Sequence, residues 1–412
     1  MKKALFIILT CVLLINTLNI SKLKAQTKYI NDDISSATAL VSQDSIESYI
    51  QHLENFETRF MIAPNRLEIA KWLQNKFKSL GVDSVRIDTF EIHTTHYGLG
   101  IDTTTFQYNV VVTIPGSSES KIIICGHYDS FSSGDPFLVA PGADDDASGI
   151  AACLESARIF SEINYSPTHT VEIIAFAAEE LMNYGLGGYD IHAANAEAIN
   201  ETIDLVIHND MIGFNDGSWT IYLSNYPGCS SETAILSSVC KNYTSLNYLR
   251  WPSNMGPFAD RAFYDRGYKC VYIEENFDAN PNYHQVTDIL SNVDVSYCAE
   301  ATKISIGGAM QYDLPGDTTT LINELAITET NFSVFPNPMS GNATIKYTIE
   351  KNSYVELILY DITGKKIEVL EKEQKTKGQY NTQIVNKNFQ GIYFITLTVD
   401  NKRKYTQKVI IN

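Results

Sequence analysis

The fold is decided by three neighbouring segments, which read KIIICGHYDS at residues 121–130, PGADDDASGIAACLESARIF at 141–160 and HTVEIIAFAAEEL at 169–181. The β-branched run Lys121–Cys125 predicts a buried strand, and the apolar run Val171–Ala178 predicts a second one. The amphipathic pattern between them predicts a helix. Each segment therefore carries polar side chains at the end of a strand or at the start of a helix.

The polar residues of these segments are of the types that bind metal ions. Side chains two residues apart on an extended chain point the same way, so we expect the carboxylate of Asp129 beside the imidazole of His127, where it would orient the ring. The three aspartates at 144–146 repel one another unless cations lie among them. The adjacent Glu179 and Glu180 face opposite ways, so one can bind a metal while the other faces elsewhere. The pattern predicts a metal site.

Strand and helix patterns alternate along the rest of the first 310 residues. Further strands are predicted at 84–92, 108–114, 203–208 and 268–273, and further helices at 42–80 (two helices), 182–198, 231–243 and 288–310. This alternation predicts an α/β fold, with a mixed, largely parallel sheet and helices on both faces. Ligands bind beyond the carboxyl ends of the strands in such sheets. We therefore expect Asp210 and His284, which follow the later strands, to meet His127 and the two glutamates at one edge.

Charge and cysteine content limit the partners and the covalent structure. The formal net charge is -17, and the segment from residue 331 onward is net basic, so the acidity lies in the preceding body. An acidic body argues against nucleic acid or an anionic membrane as a partner. Cys125, Cys153 and Cys270 lie in predicted strands or helices and are expected to be small buried hydrophobic residues. Export permits disulfides, and Cys229 and Cys240 are the candidate pair.

The two ends of the chain differ in composition from its middle. Lys2 and Lys3, an apolar run and Ala25 predict a secretory signal peptide at residues 1–25. No other run approaches the length of a membrane span, so we expect no transmembrane anchor. Residues 26–312 are expected to form the main domain and residues 313–328 a linker. Short strand patterns in residues 329–412 predict a small all-β, immunoglobulin-like sandwich.

Five motifs, in this order, carry a resemblance to a known family: GHYDS, APGADDDASGIAA, AFAAEE, HNDM and PNYHQVTD. Together they resemble the co-catalytic zinc aminopeptidases of the bacterial leucyl aminopeptidase type, whose superfamily also contains the glutaminyl cyclases. The resemblance implies a zinc exopeptidase fold and two Zn2+ ions bridged by Asp145. It implies that His127 and Asp210 complete the ligands of one ion, and Glu180 and His284 those of the other. It also implies a cis peptide bond after Asp145.

The resemblance further implies a reaction and the residues that perform it. The domain at 26–312 would remove N-terminal amino acids from peptide substrates, with Glu179 as the general base and Asp129 as the partner of His127. Met211, Phe277 and Tyr283 flank the ligands and are candidates for lining a pocket for a hydrophobic first side chain. Two other functions stay open: a glutaminyl cyclase, which forms pyroglutamate at peptide N-termini, and a catalytically inactive domain displayed for adhesion.

Two departures from the family and a second resemblance complete the interpretation. Where several relatives have an Asp-His pair ahead of the last strand, this chain has Asp260-Arg261, and the cysteine pair and tyrosine often found just before it are absent from the sequence Ser253–Pro257. The C-terminal motifs VFPNPMSG, ELILYDITGKKI, GIYFITL and KVIIN resemble the type A sorting domain of the type IX secretion system. This implies Sec-dependent export to the periplasm and then type IX passage to the outer surface or the medium. The alternative is a β-sandwich that binds surface glycan or substrate.

Overall fold

The structure is a computed structural model that describes residues 30–96, 99–180, 187–252, 260–314, 332–337, 339, 341–349, 351–361, 365–385, 390–400 and 403–411. The chain divides between residues 314 and 315 into two compact units, and each is described by itself. The predicted signal peptide and most of the predicted linker lie outside the described residues. None of the described helices is long and apolar enough to cross a bilayer.

The larger unit combines helices with one long sheet. Its helices are α1 (Asp32–Ala39), α2 (Gln43–Glu54), α3 (Arg66–Ser79), α4 (Ala147–Glu162), α5 (Gly188–Ala198), α6 (Ser230–Tyr243), α7 (Arg261–Tyr264) and α8 (Val295–Asp313). Its strands are β1 (Val85–His96), β2 (Ile101–Ile114), β3 (Ser118–His127), β4 (His169–Phe176), β5 (Ile203–Asn209), β6 (Thr220–Asn225), β7 (Asn247–Pro252) and β8 (Cys270–Glu274). Most of these elements were predicted, whereas α1, α7, β6 and β7 were not.

The sheet has the order β1-β2-β4-β3-β5-β8-β6-β7. Its central strands β4, β3, β5 and β8 run parallel, and antiparallel pairs flank them. On β3, Ile122 and Ile124 join one buried apolar cluster, whereas Ile123 and Cys125 join another, because successive side chains leave a strand on opposite faces. Helical residues complete both clusters, so the predicted α/β fold with helices on both faces is confirmed.

Two sequence-based expectations for this unit are wrong. The closing helix begins at Val295 rather than at residue 288, because the side chain of Asp294 accepts the backbone N–H groups of Ser296 and Tyr297 and caps the helix there. Cys229 and Cys240 form no disulfide, and the six cysteines in the described ranges are free and buried. Cys229 caps α6 and Cys240 lies inside it; a helix rises 1.5 Å per residue, so about 16 Å separates them, far beyond disulfide reach.

The smaller unit is an all-β sandwich. Its strands are β9 (Ser333–Phe335), β10 (Asn342–Ile349), β11 (Ser353–Asp361), β12 (Lys366–Lys375), β13 (Gly378–Val385), β14 (Gly391–Val399) and β15 (Arg403–Ile411). They form one sheet in the order β13-β10-β9 and a second in the order β12-β11-β14-β15. Apolar side chains from both sheets, such as Ile345 and Leu357, meet in one core. The predicted immunoglobulin-like architecture is confirmed.

A buried arginine holds the loop that precedes helix α4. The side chain of Arg59 donates hydrogen bonds to the carbonyl oxygens of Leu53, Tyr128, Pro141 and Gly142. The residue is 1% exposed, and no ion pair with a carboxylate involves it in the described part of the chain. Its guanidinium therefore supplies hydrogen-bond donors to backbone carbonyl groups that are shielded from water.

We predict that Arg59→Met lowers the free energy of unfolding of the larger unit by about 3 kcal/mol or more, because four carbonyl groups each lose a buried hydrogen bond to the guanidinium. Calorimetric or denaturant-induced unfolding measures the change. The matched control is Arg261→Met, since the side chain of Arg261 is 41% exposed and its guanidinium pairs with Asp265 and lies over the ring of Tyr264 at the surface; we expect a change below about 1 kcal/mol. Equal effects of the two substitutions would contradict the role of Arg59.

Candidate metal centre

The carboxylate of Asp145 lies between two histidines. Its Oδ1 is 3.2 Å from Nε2 of His127, and its Oδ2 is 3.3 Å from Nε2 of His284. Asp145 is 5% exposed, and the peptide bond between Asp145 and Asp146 is cis, as the resemblance implied. One carboxylate thus presents its two oxygens to two separate sets of ligands.

Each set contains one more carboxylate. Oδ1 of Asp210 lies 3.5 Å from Nε2 of His127, and Oε2 of Glu180 lies 2.8 Å from Nε2 of His284. The potential ligand atoms of His127, Asp145 and Asp210 all lie within 4.8 Å of one another, as do those of Asp145, Glu180 and His284. The structure therefore brings the five sequence-predicted ligands together at the carboxyl ends of the central strands.

The donor atoms fit divalent zinc. They are imidazole nitrogens and carboxylate oxygens, and three protein ligands per ion leave a position for water or substrate. Oδ2 of Asp145 and Oε1 of Glu180 are buried without a hydrogen-bond partner. A buried charged oxygen without a partner is costly, and a bound cation would satisfy it.

Electrostatics point the same way. Burial lowers the pKa of His284, but the nearby carboxylates of Glu180 and Asp145 raise it by a larger amount, to about 11. The pKa of His127 is also raised, because its hydrogen bonds to Asp145 and Asp210 outweigh burial. Burial raises the pKa of Glu180 to about 7 and that of Glu179 well above its usual value. Protons thus compensate the clustered carboxylates here, and metal ions can replace those protons.

Asp129 differs from the sequence-based expectation in how it contacts the site. Nδ1 of His127 lies 3.0 Å from the backbone carbonyl oxygen of Asp129, whereas the carboxylate is 3.8 Å from that nitrogen. The carboxylate instead accepts the backbone N–H groups of Glu179 and Glu180 at 3.0–3.1 Å. The alternation rule does not apply because β3 ends at His127, so Asp129 lies beyond the strand. Asp129 therefore orients the ring of His127 through its backbone carbonyl oxygen. Its carboxylate fixes the backbone of Glu179 and Glu180.

The aspartates on either side of Asp145 have supporting contacts. Asp146 caps helix α4 by accepting the N–H of Gly149, and it also accepts the N–H of His127 at 3.0 Å. Asp144 accepts the N–H of Gly213 at 2.7 Å. A Cβ atom on Gly149 would lie 2.4 Å from the carboxylate of Asp146, so only glycine fits at that position. These contacts fix the backbone that presents Asp145.

Glu179 lies beside the two ligand sets without belonging to either. Its Oε2 is 4.0 Å from Nε2 of His127, and its side chain is 17% exposed. The preceding residue, Ala178, has a φ of 63°, in the left-handed region that non-glycine residues seldom adopt. The chain thus changes direction just before the two glutamates. Glu179 lies beside His127, whereas Glu180 reaches His284.

Aromatic side chains border the His284 side of the centre. The ring of Tyr283 stacks on that of His284 with centroids 3.9 Å apart, and the ring of Phe277 lies 6.1 Å from that of Tyr283. Both aromatic residues are exposed to solvent, whereas Met211 is buried. Phe277 and Tyr283 thus form an apolar surface beside the ligands, and Met211 lies within the framework.

Asp260 and Arg261, where the sequence departs from the family, contact residues other than the predicted ligands. Asp260 is fully buried and accepts the hydroxyl of Tyr226 at 2.8 Å, whereas Arg261 is exposed and pairs with Asp265. The neighbouring segment Ser253–Pro257 lies outside the described residues.

Sequence reasoning missed a tyrosine that contacts the predicted ligand Asp210. The hydroxyl of Tyr272 donates to Oδ2 of Asp210 at 2.9 Å. Tyr272 lies in the apolar run of β8, where the sequence pattern indicates only a buried strand. Which hydroxyl reaches which carboxylate depends on the packing of β8 against β5, and no local motif encodes it.

Similarity to known proteins agrees with this geometry. Residues 109–307 match peptidase family M28, and residues 333–412 match the secretion system C-terminal sorting domain. A probable leucine aminopeptidase of Trichophyton verrucosum (strain HKI 0517) is 26% identical over 287 residues, which are 65% of this chain and 70% of that protein.

Two solved structures share the fold of the larger unit. LapB from Legionella pneumophila has a TM-score of 0.55 and 24% identity, and the match covers 70% of this chain and 77% of that one. A glutaminyl cyclase from Fimbriiglobus ruber has a TM-score of 0.54 and 15% identity over 66% of this chain and 96% of its own. Both resemblances found in the sequence are confirmed, since residues 109–307 match peptidase family M28 and a secretion system C-terminal sorting domain follows at residues 333–412.

Proposed function

We propose that this protein is an exported aminopeptidase that uses two zinc ions bridged by Asp145. The observation that carries the proposal is the division of the Asp145 carboxylate, with one oxygen toward His127 and the other toward His284. In this proposal His127 and Asp210 hold one ion, and Glu180 and His284 hold the other. Proteins of similar sequence that are named leucine aminopeptidases support the removal of N-terminal amino acids as the reaction.

A zinc pair of this kind, when bound, lowers the pKa of water and polarises a carbonyl group. The residues of the chain supply the remaining functions. Glu179 accepts the proton of the attacking water at its carboxylate and returns it to the leaving amine. Asp129 keeps Glu179 in place by accepting its backbone N–H, and it fixes the ring of His127 through its own carbonyl oxygen.

The pocket for the first residue of the substrate is proposed to lie against Phe277 and Tyr283, with the buried Met211 as a further candidate for its lining. Exposed aromatic surface next to polar groups suits an apolar side chain whose backbone must reach those groups. We therefore propose a preference for hydrophobic N-terminal residues. Cyclisation of glutamine at peptide N-termini is a second candidate function, because the larger unit shares its fold with a solved glutaminyl cyclase.

Export is proposed to follow the order of the segments. The signal peptide at residues 1–25 would direct the chain through the Sec pathway to the periplasm. The domain at 329–412 would then direct residues 26–312, through the linker at 313–328, across the outer membrane by the type IX system. The match of residues 333–412 to a secretion system sorting domain supports this route.

Metal binding is predicted to strengthen as the pH rises. Below a pH of about 7 both Glu180 and His284 hold protons, and above it His284 still holds one, so the ion that these two residues would hold must displace protons. We expect apparent zinc affinity of the metal-free protein to rise about tenfold per pH unit for each proton displaced. Calorimetry in buffers of different ionisation enthalpy counts those protons. A flat pH profile, or no proton release, would contradict the protonated ligand cluster.

Glu179→Gln is predicted to retain both metal ions and to lower kcat about 10²–10⁴-fold, since the amide keeps the shape of the side chain but cannot accept the proton. Elemental analysis of the purified variant and steady-state hydrolysis of a leucyl substrate measure the two effects. Asp135→Asn is the control, because the carboxylate of Asp135 accepts the N–H of Phe137 in its own loop and has no contact with the predicted ligands among the described hydrogen bonds. Wild-type kcat in Glu179→Gln would show that another group is the base.

A substrate panel separates the candidate functions. We expect hydrolysis of leucyl and phenylalanyl substrates, slower hydrolysis of glycyl and glutamyl ones, and no cleavage of N-acetylated peptides. Release of the first amino acid, followed by mass spectrometry, is the measurement. Ring closure of N-terminal glutaminyl peptides without hydrolysis of the leucyl substrates would replace the aminopeptidase proposal by the cyclase.

A further inference from the structure

Tyr272 contacts a proposed metal ligand from inside the sheet. It lies in the middle of β8, is 3% exposed, and donates its hydroxyl to Oδ2 of Asp210 at 2.9 Å. The other carboxylate oxygen of Asp210, Oδ1, is the one that lies 3.5 Å from Nε2 of His127. The two oxygens of Asp210 therefore have different environments, one facing a phenol and the other facing the ligand set.

The position of the phenol is fixed by the framework. In the sheet, Tyr272 is paired with His208 on β5 and with Ser224 on β6, so its backbone is held on both sides. Its ring packs against that of His208 with centroids 4.9 Å apart. The ring of His208 is held in turn by the hydroxyl of Tyr189, which lies 3.0 Å from Nε2. A donor placed by a central strand loses little conformational entropy when it orients a ligand.

We infer that Tyr272 is a positioning residue that sets the orientation of Asp210 and leaves only Oδ1 for the metal ion shared with His127. The inference rests on the proposed two-metal function and adds a residue to it. A hydrogen bond to one oxygen of a ligating carboxylate fixes its rotation and raises metal affinity. Tyr272 thus acts on one ion through Asp210 and does not touch the substrate.

The effect should be confined to one of the two ions. Among the described residues, Oε1 of Glu180 has no hydrogen-bond partner, so no comparable donor braces the ligand set of Glu180 and His284. The ring of His284 contacts Phe131 and Tyr283, which are aromatic neighbours rather than donors to its carboxylate partner. Removing the hydroxyl of Tyr272 therefore separates the two metal affinities.

The test is calorimetric titration of Zn2+ into the metal-free protein, in a competing chelator, for the wild type and Tyr272→Phe. We expect one of two binding steps to weaken about 10–100-fold and the other to stay within about twofold. Tyr297→Phe is the matched control, because Tyr297 is equally buried but donates to the backbone carbonyl of Thr220. It should leave both steps unchanged, and thermal unfolding should show that both variants are folded.

Two variants, each lacking one of the two histidine ligands, identify which ion is affected. In His284→Ala, the remaining step belongs to the His127–Asp210 side, and adding Tyr272→Phe should weaken it 10–100-fold. In His127→Ala, adding Tyr272→Phe should change the remaining step by less than about twofold. Wild-type affinities in Tyr272→Phe, or equal weakening in both backgrounds, would overturn the inference. A wild-type protein that binds no pair of ions would instead overturn the proposed function itself.

Discussion

The structure depends on the burial of many carboxylates in one small volume. Asp129, Asp145, Asp146 and Asp210 are all less than one-tenth exposed, and Glu179 and Glu180 lie beside them. Like charges at such distances repel strongly in a medium of low dielectric constant, so they persist only where protons, cations or N–H donors compensate them. The shifted pKa values of the two histidines show how strongly the site attracts positive charge.

The fold compensates part of this charge with its own backbone. Asp129 and Asp146 accept peptide N–H groups from the strand ends and from the start of α4, and Asp288 accepts those of Asp144 and Asp145. The guanidinium of Arg59 lies under the same loop and binds its carbonyl oxygens. Asp145, Asp210 and Glu180 are left facing the two imidazoles. The supporting acids thus have hydrogen-bond donors within the framework, whereas buried oxygens of Asp145 and Glu180 have none among the described residues.

Sequence reasoning reached the fold class and the convergence of the ligands because both depend on short patterns. A polar residue directly after a predicted strand is expected to lie at the carboxyl edge of the sheet. Parallel strands bring such residues together at that edge. Contacts between strands are not encoded in this way. The hydroxyl of Tyr272, the carbonyl of Asp129 and the carbonyl partners of Arg59 all depend on how elements pack. The short strands β6 and β7 were missed, since six-residue runs with exposed residues such as Leu249 and Trp251 resemble loops.

The central claim is that one carboxylate bridges two ions, and anomalous diffraction from zinc-loaded crystals tests it most directly. Data collected at the zinc absorption edge should show two peaks about 3.5–4 Å apart, one on each side of Asp145. The first should lie beside His127 and Asp210, and the second beside Glu180 and His284. A single peak, or two peaks with Asp145 outside the coordination of either ion, would contradict the account.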